Sequence, residues 1–476
     1  MDYRVVIGLE VHAELNTKTK VFCGCQNVFG GEPNTHCCPV CIGLPGSLPR
    51  VNKAAIEKTV KAGLATNCKI SNEFIFERKN YFYPDLAKAY QISQDTKPIC
   101  KGGYIEIVGD DGNPKKIRLN RIHLEEDAGK LIHSNRGETY VDYNRGGVPL
   151  IETVTEPDIS SAKEAVAFLN SLKELWKTIG VSDCKMEQGS LRCDVNVSLC
   201  PVGSAKLGNR TEMKNLNSFK AVERAINYEI ERQREILMAG GTVDVCTLKW
   251  DDEQGYNFVL RSKENANDYR YFPEPDIYPC SISDEEIEKI KADMPRLPKE
   301  IREELTSKYG LSAYDADLIS RDMVITKFFY DVIEIFPKAK TVSNWIMSEI
   351  NKRLNLVATE ETEIKISPEK LVEIISVYEQ NKVSQQGARK LFDLVWNGSE
   401  ETIANLIQIN DLGLVADDGQ LEEVVRKVVD SNPKAVEDYK GGNKKAFAFF
   451  IGAVMKETKG KADAGKVNAL LDKILG

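Results

Sequence analysis

The stretch Val5–Leu15, VVIGLEVHAEL, sets the pattern for the first half of the chain. Residues i and i+2 of a strand share a face, so Leu9, Val11 and Ala13 fall on one side and Glu10, His12 and Glu14 on the other. The first side belongs to a core. The second carries two carboxylates and an imidazole, an arrangement that is costly unless that side is solvated or holds a cation. The same alternation recurs downstream. GYIEIVG, KKIRLNRIHLE, YVDYN and SLRCDVNVSL read as half-buried strands, separated by turns at Gly102-Gly103, Asp111-Gly112 and Gly146-Gly147. Two helical stretches interrupt them, SAKEAVAFLNSLKELWKTIG and FKAVERAINYEIERQREILMAGG, both ending in Gly as helices prefer.

After Pro273-Glu274-Pro275 the composition shifts. From about Ser283 the apolar residues follow helical spacing, through EEIEKIKADM, PKEIREELTSKYG, SAYDADLISRD and KFFYDVIEIF. A loop near Ile364–Pro368 precedes further helices. A chain of 476 residues implies two to four domains. The expected division is 1–292, mixed and strand-rich, then 293–404 and 405–476, both helical. No apolar run reaches the ~20 residues that span a bilayer, and MDYRVVIGLEVH has no secretory signal pattern. The expectation is a cytoplasmic protein whose twelve cysteines stay reduced. A net charge of −8 excludes nucleic-acid binding by bulk charge, though not by a local basic face.

Four constellations carry chemistry. Cys23-Gly24-Cys25 and, twelve residues on, Cys38-Pro39-Val40-Cys41 are spaced to close a tetrahedral zinc site. Cys37 stands beside Cys38 and could replace it; Cys38 keeps the CxxC spacing. Four thiolates leave no open position, so the role is structural. The acidic strand faces form the second. Asp194 lies with Arg192, Asn196 and Ser198 on one face of its strand, and Glu212 shares a face with Lys214. Glu152 stands in the apolar run VPLIETVTEPD. Glu125-Glu126-Asp127 closes another strand, and alternation does not decide between Glu125 and Glu126. Such oxygen ligands suit Mg²⁺ and phosphoryl transfer. The third is ERKNYFYPD, residues 77–85, with Lys88, Tyr90 and Gln91 beyond it. Its cations and aromatics suit an anionic ligand with a planar base. Neither a GxxxxGK[ST] loop nor a protein-kinase signature is present. The last is the tail: residues 434–476 hold nine Lys against five acids, with Lys444, Lys445, Lys456, Lys459 and Lys461 around an apolar helix.

These stretches resemble the GatB family, the B subunits of tRNA-dependent amidotransferases, in order and wording. The resemblance runs through IGLEVHAEL, FCGCQNVFGGEPNTHCCPVCIGLPGSLPRVN, RKNYFYPDLAKAYQISQ, HLEEDAGK, DYNRGGVPLIETVTEPD, VSDCKMEQGSLRCDVNVS, EMKNLNSF and DYRYFPEPDI to a YqeY-like tail, nearly the whole chain. It implies an α+β fold: a cradle domain around an antiparallel sheet, related to glutamine synthetase, then an all-α domain and a small helical tail. It implies ATP-dependent phosphorylation of the side-chain carboxylate of Glu on tRNA(Gln), or Asp on tRNA(Asn), followed by amidation with ammonia. Carried over by motif, His12, Glu126 and Glu152 are catalytic and hold one Mg²⁺, and Glu10, Asp194 and Glu212 hold a second metal. Arg78, Lys79 and Lys88 would contact the phosphates of ATP. Some members lack the cysteine pairs, so zinc is not essential to the chemistry. No amidase signature is present, which implies a separate amidase (A) subunit and a small C subunit in a heterotrimer. Two rival readings are a ligase for a free amino acid, which has no use for a basic tail, and a non-catalytic RNA-binding assembly protein, which has no use for the acidic faces.

Overall fold

The computed structural model describes residues 2–262, 268–354, 363–414, 418–440, 445–458, 462 and 464–475. The chain forms two compact units, Met1–Pro298 and Lys299–Gly476.

The first unit is built on a ten-stranded sheet. Nine strands of this unit matter for the site: β1 (Tyr3–Glu14), β2 (Glu77–Asn80), β3 (Tyr90–Ser93), β4 (Pro114–Glu126), β5 (Pro149–Thr155), β6 (Leu191–Pro201), β7 (Thr211–Lys214), β8 (Cys246–Asp251) and β9 (Tyr256–Ser262). The large sheet runs β9-β8-β7-β6-β1-β5-β4, then Cys100–Lys101 and Lys69–Ile70. β1 therefore sits at its centre. All pairs along this order are antiparallel except β7 with β8, which is parallel, so the sheet is mixed rather than wholly antiparallel. β2 and β3 pair in a separate three-stranded sheet. YVDYN enters a small two-stranded hairpin instead of the main sheet.

The alternation of β1 is realised as read. Leu9, Val11 and Ala13 are fully buried, whereas Glu10, His12 and Glu14 are only half-buried. The apolar side joins one cluster with residues of three helices: α1 (Lys53–Ala65), α2 (Ala162–Thr178) and α3 (Phe219–Met238). Phe168, Leu172 and Trp176 of α2 and Val222 and Ile226 of α3 are all fully buried there. Each such side chain contributes about 1.5–3 kcal/mol by leaving water, which fixes the polar side of β1 outward. The helices start where their caps dictate. Ser161 Oγ accepts the Glu164 N–H at 3.1 Å, and Ser218 Oγ accepts that of Ala221 at 3.0 Å. α1 starts at Asn52, whose side-chain oxygen accepts the Ala54 N–H at 2.9 Å, although its first turn carries no acid.

The second unit is helical throughout its described residues and holds two separate apolar clusters, Ile301–Leu406 and Leu421–Leu475. The helix Ile403–Ile409 straddles the expected division at 405, and its Ile403 and Leu406 are buried in the first of these clusters. Leu414 N–H also donates to the Lys382 carbonyl at 2.9 Å. The contacts of this first cluster thus continue past 405 to Leu414. Of the tail lysines, Lys444, Lys459 and Lys461 lie outside the described residues, as does the side chain of Lys445.

Candidate functional site

Register decides which acids meet. In antiparallel strands, residues directly opposite one another share a face. His12 faces Glu152 across β1/β5 and Arg192 across β1/β6. Glu152 in turn faces His123 across β5/β4. Glu10 stands opposite Asp194, and Glu212 opposite Asn196. One row of polar side chains thus crosses the centre of the sheet.

Two ligand clusters result. His12, Glu125 and Glu152 bring one donor atom each within 4.8 Å of one another, as do Glu10, Asp194 and Glu212. The expectation for Glu126 is corrected by this geometry. Glu125 takes the place beside His12, and Glu126 points to the opposite face. Glu126 meets Lys88 there, whose Nζ reaches both its oxygens, Oε2 at 2.6 Å. The Ile92 N–H donates to the same carboxylate at 2.8 Å. The physical reason lies in β4, where the pairing with β5 slips between Val154 and Thr155. Before the slip Ile117 and Leu119 point inward; after it Ile122 and Leu124 do. Glu126 follows Leu124 onto the core side, and Glu125 follows His123 onto the polar side. Ile122 and Leu124 are the signal in the sequence that could have placed it.

His12 Nε2 lies 3.6 Å from Glu125 Oε1 and 3.4 Å from Glu152 Oε2. His123, which no sequence motif singles out, is buried beside them with Nε2 at 3.4 Å from Glu125 and 3.3 Å from Glu152. Arg121 Nε lies 3.3 Å from His123 Nδ1. Burial opposes charge here, yet His123 and His12 hold the Glu152 carboxyl well below its ordinary range. Glu10 is pushed up by burial and then by Glu152, Glu212 and Asp194. That repulsion is what a bound cation would relieve. Lys214 already does part of this, contacting Asp194 and lying 3.0 Å from Glu212.

The three cations expected at phosphate have different surroundings. Arg78 and Lys79 are consecutive on β2 and point to opposite faces. Arg78 makes a two-pronged pair with Glu274, at 2.7 and 2.9 Å, and stacks 4.2 Å from the Tyr90 ring centre. Lys88 is held by Glu126. Lys79 faces the His12 cluster: against the effect of burial, Glu125 and Glu152 raise its pKa above the ordinary lysine range. Lys79 Nζ also lies 5.0 Å from the Tyr269 ring centre.

At the far end of β1, Glu14 hydrogen-bonds to Asp127, which contacts Arg192 and lies 3.7 Å from Arg145. Burial, then Asp127, pushes Glu14 up to about 8. A raised carboxyl pKa means the folded chain holds a proton that the unfolded chain releases near 4.5. Stability from this group is therefore complete below that pH and is lost as pH rises towards 8. Glu14→Gln should flatten this part of the stability–pH curve and melt several degrees above the unaltered protein at pH 8.5, with little difference at pH 5. Parallel curves for the two proteins would refute the shared proton.

Cys23, Cys25, Cys38 and Cys41 converge with their sulfurs within 4.8 Å of one another. The four-sulfur cluster includes Cys38, while Cys37 stands at its edge, contacting Cys41 and donating to Asn144 Oδ1 at 3.8 Å. The Cys38 N–H donates to Cys41 Sγ at 3.2 Å. Cys41 is held below the ordinary thiol range, first by its contact with Cys23, while Cys23 is pushed above it. A cavity of about 200 Å³ adjoins the cluster on the Glu126 side of the sheet, lined in part by Cys41, Leu44, Lys88, Tyr90 and Asp276. Gly43, at φ +72°, lets the cysteine loop close over Lys88; a Cβ there would stand 2.4 Å from Lys88 Cγ.

Comparison with known proteins agrees with this architecture. Residues 5–288 match the family model described as the GatB/GatE catalytic domain, and residues 327–475 match the one described as the GatB domain. The chain is 49% identical over 471 residues to the B subunit of the aspartyl/glutamyl-tRNA(Asn/Gln) amidotransferase of a Thermoanaerobacter species, covering 99% of both chains. It is 48% identical to the B subunit of the enzyme of the same name from Clostridium botulinum, strain 657, covering 99% of this chain and 98% of that one. No helix among the described residues is long and apolar enough to cross a membrane.

Proposed function

The chain belongs to the GatB/GatE family, and we propose that it activates the free side-chain carboxylate of an amino acid esterified to tRNA and converts it to an amide. The substrates are Glu-tRNA(Gln), Asp-tRNA(Asn) or both. A side-chain carboxylate oxygen attacks the γ-phosphorus of ATP, the bond to the β-phosphate oxygen breaks, and ADP leaves. Ammonia then attacks the acyl carbon and phosphate departs, leaving Gln or Asn on the tRNA. The observation that carries this reading is the pair of carboxylate clusters at the centre of the sheet.

Both reactants are anions, and bare carboxylates would repel them. The donor sets fit divalent cations. They are oxygen-rich with one imidazole, as hard divalent cations prefer, and Glu10 bears the strain of excess negative charge. His12, Glu125 and Glu152 would hold one Mg²⁺, and Glu10, Asp194 and Glu212 a second ion. Divalent cations bound there supply the charge that lets phosphate and carboxylate approach. Lys79 is the cation placed to meet the transferring phosphoryl group. Arg78 and Lys88 keep the surrounding strands in place through Glu274 and Glu126. His123 fixes the two carboxylates that flank it, as outer partners of metal ligands do.

The cysteine cluster fits zinc, with four sulfur donors and no open position. Metal analysis should find one zinc per chain, with Cys37 open to alkylation and the four ligand thiols protected. Four freely titrating thiols at those positions and no metal would remove the zinc reading. Ammonia comes from a partner amidase (A) subunit, and a small C subunit completes a heterotrimer in the cytoplasm. The lysine-rich stretch 434–476 contacts tRNA.

The direct test is amidation by the assembled complex, with glutamine, ATP and each mischarged tRNA supplied in turn. ATP turnover should rise when charged tRNA is added. Turnover that ignores tRNA but responds to free glutamate would favour a free-amino-acid ligase instead.

A further inference from the structure

Lys20 follows β1 in the loop that leads to the cysteines. It is fully buried, with no measurable exposure. A buried ammonium needs an anion beside it. Among the described residues no carboxylate stands within the 4.0 Å of an ion pair; Nζ instead donates to the Tyr143 carbonyl at 3.3 Å and to Cys41 Sγ at 3.6 Å. The side chain reaches this position along Gly147, which has φ +83°. A Cβ there would stand 3.3 Å from Cys41 Cβ and 3.5 Å from Lys20 Cδ, so the backbone, the lysine stem and Cys41 are packed against one another.

We propose that Lys20 is the built-in counter-ion of the four-cysteine site, neutralising part of its thiolate charge through Cys41 and so holding the metal against release. The proposal rests on the zinc reading above. Four thiolates around a dication carry two excess negative charges, and Lys20 lies against Cys41, the buried member of the four. One ammonium halves that excess, and its N–H···S contact adds to the one from the Cys38 amide. The arrangement also explains why a lysine occupies an interior position. Lys20 is thus a positioning residue for the metal site and touches no substrate.

The test compares the full-length protein with Lys20→Met, in which methionine fills the space of the stem without charge or donor. Zinc should pass to a competing chelator on the order of 10-fold faster from the variant, the scale of effect seen for outer partners of metal ligands. The rise in melting temperature produced by zinc should be smaller in Lys20→Met. A lysine that only packs would lower both forms alike. An unchanged zinc increment together with unchanged release overturns the proposal. Should the variant not fold, the parent protein loaded with ¹¹³Cd gives the answer. Scalar coupling between the metal and the Lys20 ammonium protons is expected; its absence, while the Cys38 amide coupling is present, overturns the proposal. A parent protein that binds neither metal removes the zinc reading, and this one with it.

Discussion

Glu125→Gln is expected to lower single-turnover amidation of charged tRNA by on the order of 10³-fold, the loss of about 4 kcal/mol of charge stabilisation at the site of phosphoryl transfer. The expectation for Glu126→Gln is different in kind. Glu126 lies on the other side of β4, where Lys88 and the Ile92 amide share its charge. Removing that charge leaves a buried ammonium without its partner, a loss on the order of 3 kcal/mol or more in stability. Glu126→Gln should therefore melt several degrees lower while keeping its amidation rate per folded molecule within about 10-fold of the parent's. His12→Ala should fall with Glu125→Gln. In each variant the complex should still assemble and release ammonia from glutamine, because that release needs none of the side chains on this strand face. The decisive result is the pairing of rate with melt. Loss of amidation in Glu126→Gln at an unchanged melting temperature, beside an active Glu125→Gln, would reverse the assignment.

That contrast shows how much of the site could be read in the sequence. The faces of β1, β6 and β7 follow from alternation alone, because each strand has one core side and one polar side. Glu10, His12, Asp194 and Glu212 needed nothing more to be placed. β4 was not legible in the same way. Its inward phase changes at the slip opposite Val154/Thr155, and a slip is a property of two strands, not of one. His123 was hidden for a related reason: its partner Glu152 lies across the sheet on β5. The cations illustrate a second limit. Arg78, Lys79 and Lys88 look alike in composition, and only tertiary contacts separate them. Glu274, the partner of Arg78, is 196 residues away, and Glu126 is 38 residues from Lys88. Lys20 is a further case. A lysine after a strand reads as a solvated end, and its burial depends on the cysteine loop folding back over it.

Deleting residues 415–476 should weaken binding of charged tRNA while leaving the catalytic strands folded. Every carboxylate or imidazole assigned to the site lies before residue 213, and the first unit closes at Pro298. The point of truncation matters. A cut at 405 would remove Leu406, which is buried with Phe392 and Ile403, and stripping a leucine from a packed cluster costs about 2–5 kcal/mol. A cut after Leu414 keeps that helix and the Leu414–Lys382 backbone contact, and it removes only the cluster that runs from Leu421 to Leu475. The residues lost include the nine lysines of 434–476, set against five acids, in a chain whose net charge is −8. Lysines at phosphate release bound counterions. Losing ~3 such contacts should flatten the plot of log affinity against log salt by about 2–3 units and weaken binding on the order of 10–100-fold at moderate salt. Kinetically this appears as a raised KM for charged tRNA with kcat largely kept, since the groups that meet ATP are untouched. Filter binding at several salt concentrations, with a thermal melt of the same preparation, separates this from general unfolding. A truncated chain that melts normally and binds charged tRNA with the parent's affinity and salt slope would show that the last domain is not where tRNA is held.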